Sequence, residues 1–175
     1  MQIDKTWHLA ATDSEVDWTE FELQLWRVFN AFKRWQLECE KMVNDNKMSV
    51  DELAVLHVIR MNDRPKTIAE VGQLLNRSDY FNINYSVTKL SERGLIKKYQ
   101  PFKNRPVQLS VTEEGRKNTE KYTEARKNIL FGEFSREIGG INLQEVVLGL
   151  RQIRGVYEEA HRAASTYKPV KAESG

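Results

Sequence analysis

The chain has 175 residues, of which 40 % are hydrophobic and 30 % charged, with a formal net charge of +2 and a mean hydropathy of -0.61. This composition is typical of a soluble, helix-rich protein that folds as one compact domain or as two small lobes. No apolar run approaches the ~20 residues of a membrane span, and no secretory signal pattern opens the chain, so a cytoplasmic location is expected. The single cysteine, Cys39, excludes an internal disulfide and a multi-cysteine zinc site.

The first predicted element is a long helix over 15–45, which follows an N-terminal arm over 1–14. Asp13 or Ser14 is the expected N-cap of this helix. Its apolar residues alternate at spacings of three and four, which is the heptad pattern of a helix that packs along its whole length. They are Trp18, Phe21, Leu25, Val28, Phe32, Trp35, Cys39 and Met42. A stripe of this length and width requires more than one neighbouring helix.

Two shorter helices are predicted next, and each begins with a capping box. Ser49 pairs with Glu52 at the first start, and Thr67 pairs with Glu70 at the second. In this arrangement each side chain accepts a hydrogen bond from a free backbone N–H of the first turn. The predicted buried faces are Leu53, Leu56 and Ile59 on the first helix and Ile68, Val71, Leu74 and Leu75 on the second.

A tight turn, "NRSD", then leads into a third helix, "YFNINYSVTKLSER", which Gly94 ends. Its predicted inward face consists of Ile83, Val87 and Leu90. The segments "LIKKYQPF" and "VQLSVT" have the residue types of strands, and "KNRP" between them is typical of a turn. These segments therefore predict a β-hairpin.

The order of helix, short helix, turn, helix and hairpin predicts a winged helix-turn-helix over 47–113. In this motif the second helix lies in the major groove of DNA and the hairpin forms the wing. Asn side chains can read adenine, Lys can pair with guanine or phosphate, and an Arg in the wing suits the minor groove. The expected DNA contacts are Tyr80, Asn82, Asn84, Tyr85 and Lys89 on the helix and Lys103, Asn104 and Arg105 on the wing.

The distribution of charge supports the same interpretation. Between Lys66 and Thr112 there are eight basic and three acidic residues, a net charge of +5, which leaves -3 for the rest of the chain. A basic segment of this kind is the electrostatic signature of a site for a polyanion. Charge alone would equally fit a solvated basic face, but the basic segment coincides with the predicted motif.

The predicted C-terminal part, over 113–166, contains two more helices. Thr112 is the expected cap of the first, which Gly139 and Gly140 end, and a flexible tail follows over 167–175. The second helix carries another heptad stripe, formed by Leu143, Val146, Leu150, Ile153, Tyr157, Ala160 and Ala164. The overall fold class is therefore mainly α, with the first and last helices forming a dimerisation lobe beside the winged helix. An intrachain helical bundle is the alternative to a homodimer.

Two segments resemble the MarR family of bacterial transcriptional regulators. They are "LSERGLIKK", over Leu90 to Ile96 and beyond, and "LSVTEEGRK", which includes Val111-Thr112-Glu113-Glu114-Gly115. The resemblance covers roughly residues 15–165. It implies a homodimeric regulator of transcription, with repression and activation both open, that binds a pseudo-palindromic operator. In one departure from the family pattern, Lys103 occupies the wing position that usually holds an acid two residues before an arginine.

The resemblance also implies a site for a small aromatic effector between the two lobes. The residues at the corresponding positions are Trp35, Cys39, His57 and Met61. Each also has a simpler interpretation: Cys39 lies on the heptad stripe and is expected to be a small core residue rather than a redox sensor. His57 is equally expected to be an ordinary core or surface histidine.

No enzymatic motif is present in the sequence. It lacks a P-loop, a nucleophile elbow, a dinucleotide fingerprint and a cluster of metal ligands, so no catalytic activity, cofactor or metal is expected. The alternative to a DNA-binding regulator is a winged-helix module that contacts other proteins, because a fold does not by itself fix a function. Double-stranded DNA, a second copy of the chain and an aromatic effector are the expected partners, without a membrane.

Overall fold

The structure, a computed structural model, describes residues 8–44, 48–134 and 140–167. Within these ranges the fold consists of six α-helices and one hairpin. In chain order they are α1 (Asp13–Val43), α2 (Val50–Arg60), α3 (Ile68–Leu75), α4 (Tyr80–Glu92), β1 (Ile96–Tyr99), β2 (Gln108–Val111), α5 (Glu113–Arg126) and α6 (Leu143–Thr166). A short 3-10 turn over Met61–Asp63 follows α2, and a π-helical segment over Lys127–Phe134 continues α5. This mainly helical fold with a two-stranded wing confirms the predicted fold class.

The chain divides into two compact units, Met1–Ile129 and Leu130–Gly175. The first unit contains α1 to α5 and the hairpin, and the second contains α6. Within the described ranges, none of the helices is long and apolar enough to cross a membrane. The first half of the predicted arm, the predicted tail beyond Tyr167, and Gly139 lie outside the described residues.

Caps at the helix starts explain why several helices begin where they do. The Ser49–Glu52 and Thr67–Glu70 capping boxes are both formed, which confirms the prediction for α2 and α3. The first helix differs, because its N-cap is Thr12 rather than Asp13 or Ser14. Glu15 accepts hydrogen bonds from the backbone N–H of Thr12 at 2.8 Å and of Ala11 at 2.7 Å, so its carboxylate satisfies the free donors.

The hydrophobic core of the first unit is formed where α2, α3, α4 and the hairpin meet. Its fully or nearly fully buried members are Met48, Leu53, Val55, Leu56, Ile59, Val71, Ile83, Val87, Leu90, Leu95, Ile96 and Leu109. The predicted inward faces of α2 and α4 are therefore confirmed. Leu74 was expected in the buried face of α3 but is 46 % exposed. Since α3 has only eight residues and packs on α2 and α4, the flank that carries Leu74 is left facing solvent.

The joint between α3 and α4 depends on a close approach. Asn76 ends α3 in the left-handed conformation, with φ 53°, and the N–H of Arg77 donates to the carbonyl of Gly72 at 2.8 Å. A Cβ on Gly72 would lie 2.9 Å from Cε1 of Tyr80 and 3.0 Å from the carbonyl oxygen of Arg77. Glycine at this position therefore lets the first turn of α4 pack directly against α3.

The hairpin is antiparallel, with Ile96 opposite Val111 and Tyr99 opposite Gln108. Gly94 precedes it with φ +70°, as expected for a glycine that ends a helix in the left-handed conformation. A third backbone segment extends the hairpin, because Lys66 and Leu109 exchange two backbone hydrogen bonds of 3.0 and 2.8 Å. This bridge was not predicted, and it ties the wing to the segment between α2 and α3.

The start of α5 is held against the end of α4. The hydroxyl of Thr112 accepts a hydrogen bond from the N–H of Gly115 at 3.1 Å and donates to the carbonyl of Gly94, which confirms Thr112 as the cap. The N–H of Thr112 donates to the carbonyl of Leu95 at 3.0 Å. The helix differs further along, because regular α-helix ends at Arg126 and a π-helical segment replaces the continuous helix that was predicted.

Candidate nucleic-acid interface

Helix α4 has a sharply divided surface. Ile83, Val87 and Leu90 are completely buried against the core. On the other side Tyr80, Phe81 and Tyr85 are respectively 45, 80 and 58 % exposed, and Asn82, Asn84 and Thr88 are also exposed. The helix is therefore anchored along one stripe and presents aromatic and polar side chains along the other, as a recognition helix requires.

Several polar side chains of α4 already have partners within the helix. Asp79, the N-cap, accepts hydrogen bonds from the backbone N–H groups of Phe81 and Asn82 and from the Asn82 amide. The Asn84 amide donates to the carbonyl of Tyr80 at 2.8 Å. These contacts fix the orientation of both Asn side chains, and the Asn84 amide oxygen keeps acceptor capacity for an outside partner.

The eight basic residues between Lys66 and Thr112 divide into two groups. Lys66 is fully buried, and its ammonium donates to the carbonyls of Ile59, Met61 and Arg64, so it belongs to the core and not to the surface. Three others lie in ion pairs with N–O distances of 2.7 to 3.1 Å. These pairs are Arg77 with Asp51, Lys89 with Glu92 and Arg93 with Glu52.

The remaining four basic residues all lie on the wing. They are Lys97, Lys98, Lys103 and Arg105, and all four are exposed. No carboxylate of the described chain lies within 4.0 Å of their charged groups, and the sequence contains no acidic residue between Arg93 and Thr112. The positive charge that the sequence placed across the whole motif is therefore concentrated on the wing.

Gln100 holds the wing loop in shape. Its amide donates to the carbonyl oxygens of Lys103 at 3.0 Å and of Arg105 at 2.8 Å. The N–H of Arg105 also donates to the carbonyl of Phe102 at 2.9 Å, which closes the turn. In the family pattern an acid and an arginine of the wing form a pair, which cannot form here because Lys103 occupies the position of the acid. The bonds made by Gln100 and Arg105 order the loop in its absence. Gln100 is a structural residue that the sequence pattern did not identify.

The four residues that the resemblance assigned to an effector site are only partly brought together. Cys39 is fully buried, with its thiol 3.9 Å from the carbonyl of Tyr122, and the ring of His57 lies 4.6 Å from the ring of Tyr122. Trp35 is half-buried and Met61 is 40 % exposed, and neither has a described contact with the other two. An open depression lies instead on the surface of α1, beside Gln24, Arg27, Val28, Asn30, Ala31 and Arg34.

The junction of α1, α2 and α5 around Cys39 and His57 is unusually polar for an interior. Burial raises the pKa of the Cys39 thiol and of the Tyr122 hydroxyl and lowers the pKa of the His57 imidazole, so all three are neutral near pH 7. A thiol with a raised pKa is a poor nucleophile, which supports the expectation that Cys39 is a core residue. The buried carboxyl of Glu40 lies there as well, where it accepts a hydrogen bond from the Asn44 amide at 2.9 Å and has the Asn118 amide beside it.

Glu40 gives this junction an expected pH dependence. Burial raises the pKa of its carboxyl above the ordinary value of 4.5, so the folded protein retains a proton that the unfolded chain releases. The contribution of Glu40 to stability is therefore complete below about pH 4.5 and is lost as the pH rises through the folded pKa. We expect Glu40→Gln to raise Tm at pH 7 by about 3 °C and to have little effect at pH 4.

Thermal unfolding at several pH values, followed by circular dichroism, measures this effect. Glu38→Gln is the matched control, because Glu38 lies on the exposed side of the same helix turn. An equal shift in Tm at pH 4 and pH 7 for Glu40→Gln would show that folding does not raise the pKa of the Glu40 carboxyl.

Comparison with known proteins first defines the class of this motif. Residues 48–115 match the family model of a winged helix DNA-binding domain. The matched segment contains α2, α3, α4 and the whole hairpin, and it ends at Gly115. No curated protein matches the sequence.

Solved structures then relate the whole fold to MarR regulators. A cysteine-to-serine mutant of MarR from E. coli, complexed with operator DNA, is 16 % identical with a TM-score of 0.65, over 81 % of this chain and 99 % of that one. A MarR family regulator from Neisseria meningitidis is 17 % identical with a TM-score of 0.63, over 83 % and 96 %. A MarR/EmrR family regulator from Acinetobacter sp. ADP1 is 15 % identical with a TM-score of 0.62, over 81 % and 96 %. The chain has the fold of MarR family regulators, which confirms the resemblance seen in the sequence.

Proposed function

We propose that the protein is a sequence-specific DNA-binding regulator of transcription of the MarR type. The observation that carries this proposal is the pairing of two surfaces within one winged helix. One is the exposed side of α4, and the other is a wing with four unpaired cations and no acidic residue. A helix of this kind fits the major groove, and a cationic wing fits the phosphate backbone and the minor groove.

The side chains divide between these two tasks. On α4, Tyr80, Asn82, Asn84, Tyr85 and Lys89 are proposed to contact base edges and neighbouring phosphates. On the wing, Lys103, Asn104 and Arg105 are proposed to contact the backbone and the minor groove. Lys89 lies 5.8 Å above the ring of Tyr85 and 3.1 Å from Glu92, so it must exchange an intrahelical ion pair for a DNA contact.

Binding as a homodimer is proposed from the apolar surfaces of α1 and α6. On α1, Trp26, Val28, Phe29 and Phe32 are each more than half exposed. On α6 no described residue is buried, and Leu143, Val146, Leu150 and Tyr157 of the predicted heptad stripe are 36 to 58 % exposed. Exposed apolar side chains in such number on a helix usually mark a protein interface. A two-fold dimer would read two half-sites about 10 bp apart.

Fluorescence anisotropy with labelled random duplex DNA tests the proposal. A DNA-binding regulator should bind the random duplex weakly and lose affinity steeply as salt is raised, because bound cations release condensed counterions. The alternative function, a winged-helix module that contacts proteins, predicts no salt-dependent binding. Absence of binding at about 50 mM salt would favour that alternative.

Arg105→Ala is expected to weaken binding to specific and random duplexes by similar factors. The side chain is exposed in a loop whose shape depends on backbone groups, so its removal should leave the fold intact. A lost phosphate contact should reduce the slope of log affinity against log salt by about 1. Arg154→Ala, on α6, is the control for loss of one cation elsewhere. A large change in sequence preference with an unchanged salt slope would instead place Arg105 on a base.

Modulation by a small aromatic effector is part of the proposal. The polar junction around His57, Tyr122 and Cys39 supports it, because Glu40 and Asn118 add buried polar groups beside two aromatic rings, and sites for small molecules are lined by this mixture. A thermal shift screen of the full chain against aromatic carboxylates measures it. The absence of any stabilised complex at millimolar concentration would count against an effector of this class.

A further inference from the structure

We propose that Phe81 reads thymine, by packing its ring against the C5-methyl group of a thymine in the major groove. This inference rests on the proposed DNA-binding function and specifies part of the sequence that α4 recognises. It adds an apolar readout to the polar contacts proposed above.

Phe81 is the most exposed large hydrophobic side chain of the described chain, at 80 %. It contributes nothing to the core, which α4 reaches through Ile83, Val87 and Leu90. It is also the second residue of α4, and the N-terminal residues of a recognition helix are the ones that contact base edges. A phenyl ring in this position is therefore placed for an outside partner and not for folding.

The placement around the helix is equally specific. Phe81, Tyr85 and Thr88 are spaced as i, i+4 and i+7, so they form one stripe. At about 100° per residue this stripe lies opposite the buried one, while Asn82 and Asn84 lie on the two flanks. The centre of the exposed face is thus a phenyl ring, a phenol ring and a threonine.

The surroundings of Phe81 hold this arrangement. Oδ1 of Asp79 accepts hydrogen bonds from the N–H groups of Phe81 at 3.2 Å and of Asn82 at 3.3 Å, which fixes the backbone that carries the ring. The same carboxylate accepts a hydrogen bond from the Asn82 amide nitrogen, which holds that side chain on one flank of the helix with its amide oxygen still available. A base that met the centre of the exposed face at the first turn of α4 would therefore meet the phenyl ring of Phe81.

The major groove offers one partner for hydrocarbon. Thymine alone presents a methyl group there, whereas the edges of adenine, guanine and cytosine present hydrogen-bonding groups. Burying one methyl group against a phenyl ring should strengthen binding about fourfold, from the transfer free energy of a methyl group. The proposed half-site therefore contains at least one thymine opposite the first turn of α4.

The test compares thymine with deoxyuridine, which lacks only the methyl group. The full chain is used to select a duplex from a random 30-base-pair pool, and that duplex is then made again with each thymine replaced in turn. We expect deoxyuridine at one or two positions in each half-site to weaken binding about fourfold, and substitution elsewhere to have no effect. Phe81→Ala should abolish this difference, and Phe81→Leu should retain part of it.

Leu74→Ala is the matched control, because Leu74 is an exposed apolar residue of the same unit that lies on α3. It should leave the ratio between the thymine and deoxyuridine duplexes unchanged. If the unmodified chain binds the thymine duplex and every deoxyuridine duplex equally well, the inference about Phe81 is wrong. The proposed function would still stand in that case, because the chain had selected a specific duplex. Failure to enrich any duplex would overturn both.

Discussion

Replacing Gly115 with alanine is expected to lower the stability of the first unit strongly, because the added methyl group has no room. A Cβ at this position would lie 1.9 Å from the carbonyl oxygen of Leu95 and 2.9 Å from its carbonyl carbon. Both are backbone atoms at the junction of α4 and β1, where the carbonyl of Leu95 also accepts a hydrogen bond from Thr112. They cannot move aside without breaking the contact that joins α5 to the winged helix.

The expected loss is about 3 kcal/mol, the upper end of the usual range for overpacked sites, which should lower Tm by about 10 °C. Gly149→Ala provides the control, because nothing lies within 4 Å of the added Cβ and alanine favours a helix by about 1 kcal/mol. Thermal melts followed by circular dichroism compare the two. A Tm for Gly115→Ala within about 2 °C of the parent would show that α5 does not approach Leu95 this closely.

Introducing two charges into the α6 stripe is expected to convert the proposed dimer into a monomer. Val146 and Leu150 are 44 and 47 % exposed and lie four residues apart on that stripe. In Val146→Glu/Leu150→Glu, burying two carboxylates in an apolar interface without partners would cost several kcal/mol. The variant should therefore run as a monomer in gel filtration with light scattering at micromolar concentration.

The same variant should bind a duplex with two half-sites about 10² to 10⁴ times more weakly. In a dimer, binding of one subunit holds the other close to the second half-site, and a monomer loses this high effective concentration. Gln144→Glu/Gln152→Glu adds the same two charges to exposed positions of α6 away from the stripe, and it should remain a dimer. If the stripe variant elutes with the parent, or if the parent is itself a monomer, the α6 surface is not a dimer interface.

Much of the winged helix could be predicted from the sequence because its signals are local. Capping boxes, helical spacing of apolar residues and glycine at a helix end act within a few residues of the chain. They can therefore be recognised without knowing which other elements pack against the helix. Ser49, Thr67, Gly94 and Thr112 all act as their local patterns indicate. Leu74 shows the limit, since helical spacing alone does not say where the packed stripe of a short helix ends.

The candidate interface was predictable in outline but not in its details. The sequence identified the helix and the wing that carry it, and the core positions on α4 define which side is exposed. It could not show that Asp79 holds Asn82, that Lys89 pairs with Glu92 or that Gln100 shapes the wing loop. These contacts depend on where side chains meet within the folded turns, and many alternatives share the same spacing.

Sequence by itself determined the order of elements, the two-sided character of α4 and the positive charge of the motif. Tertiary structure decided which of those charges remain available. Lys66 donates to the carbonyls of Ile59, Met61 and Arg64, and three more of these cations enter ion pairs. Among the described basic residues between Lys66 and Thr112, positive charge outside an ion pair is therefore left at the surface on the wing alone. The reason is physical: buried carbonyl groups require donors, and only the folded chain shows which groups are buried and which side chains lie within reach of each other.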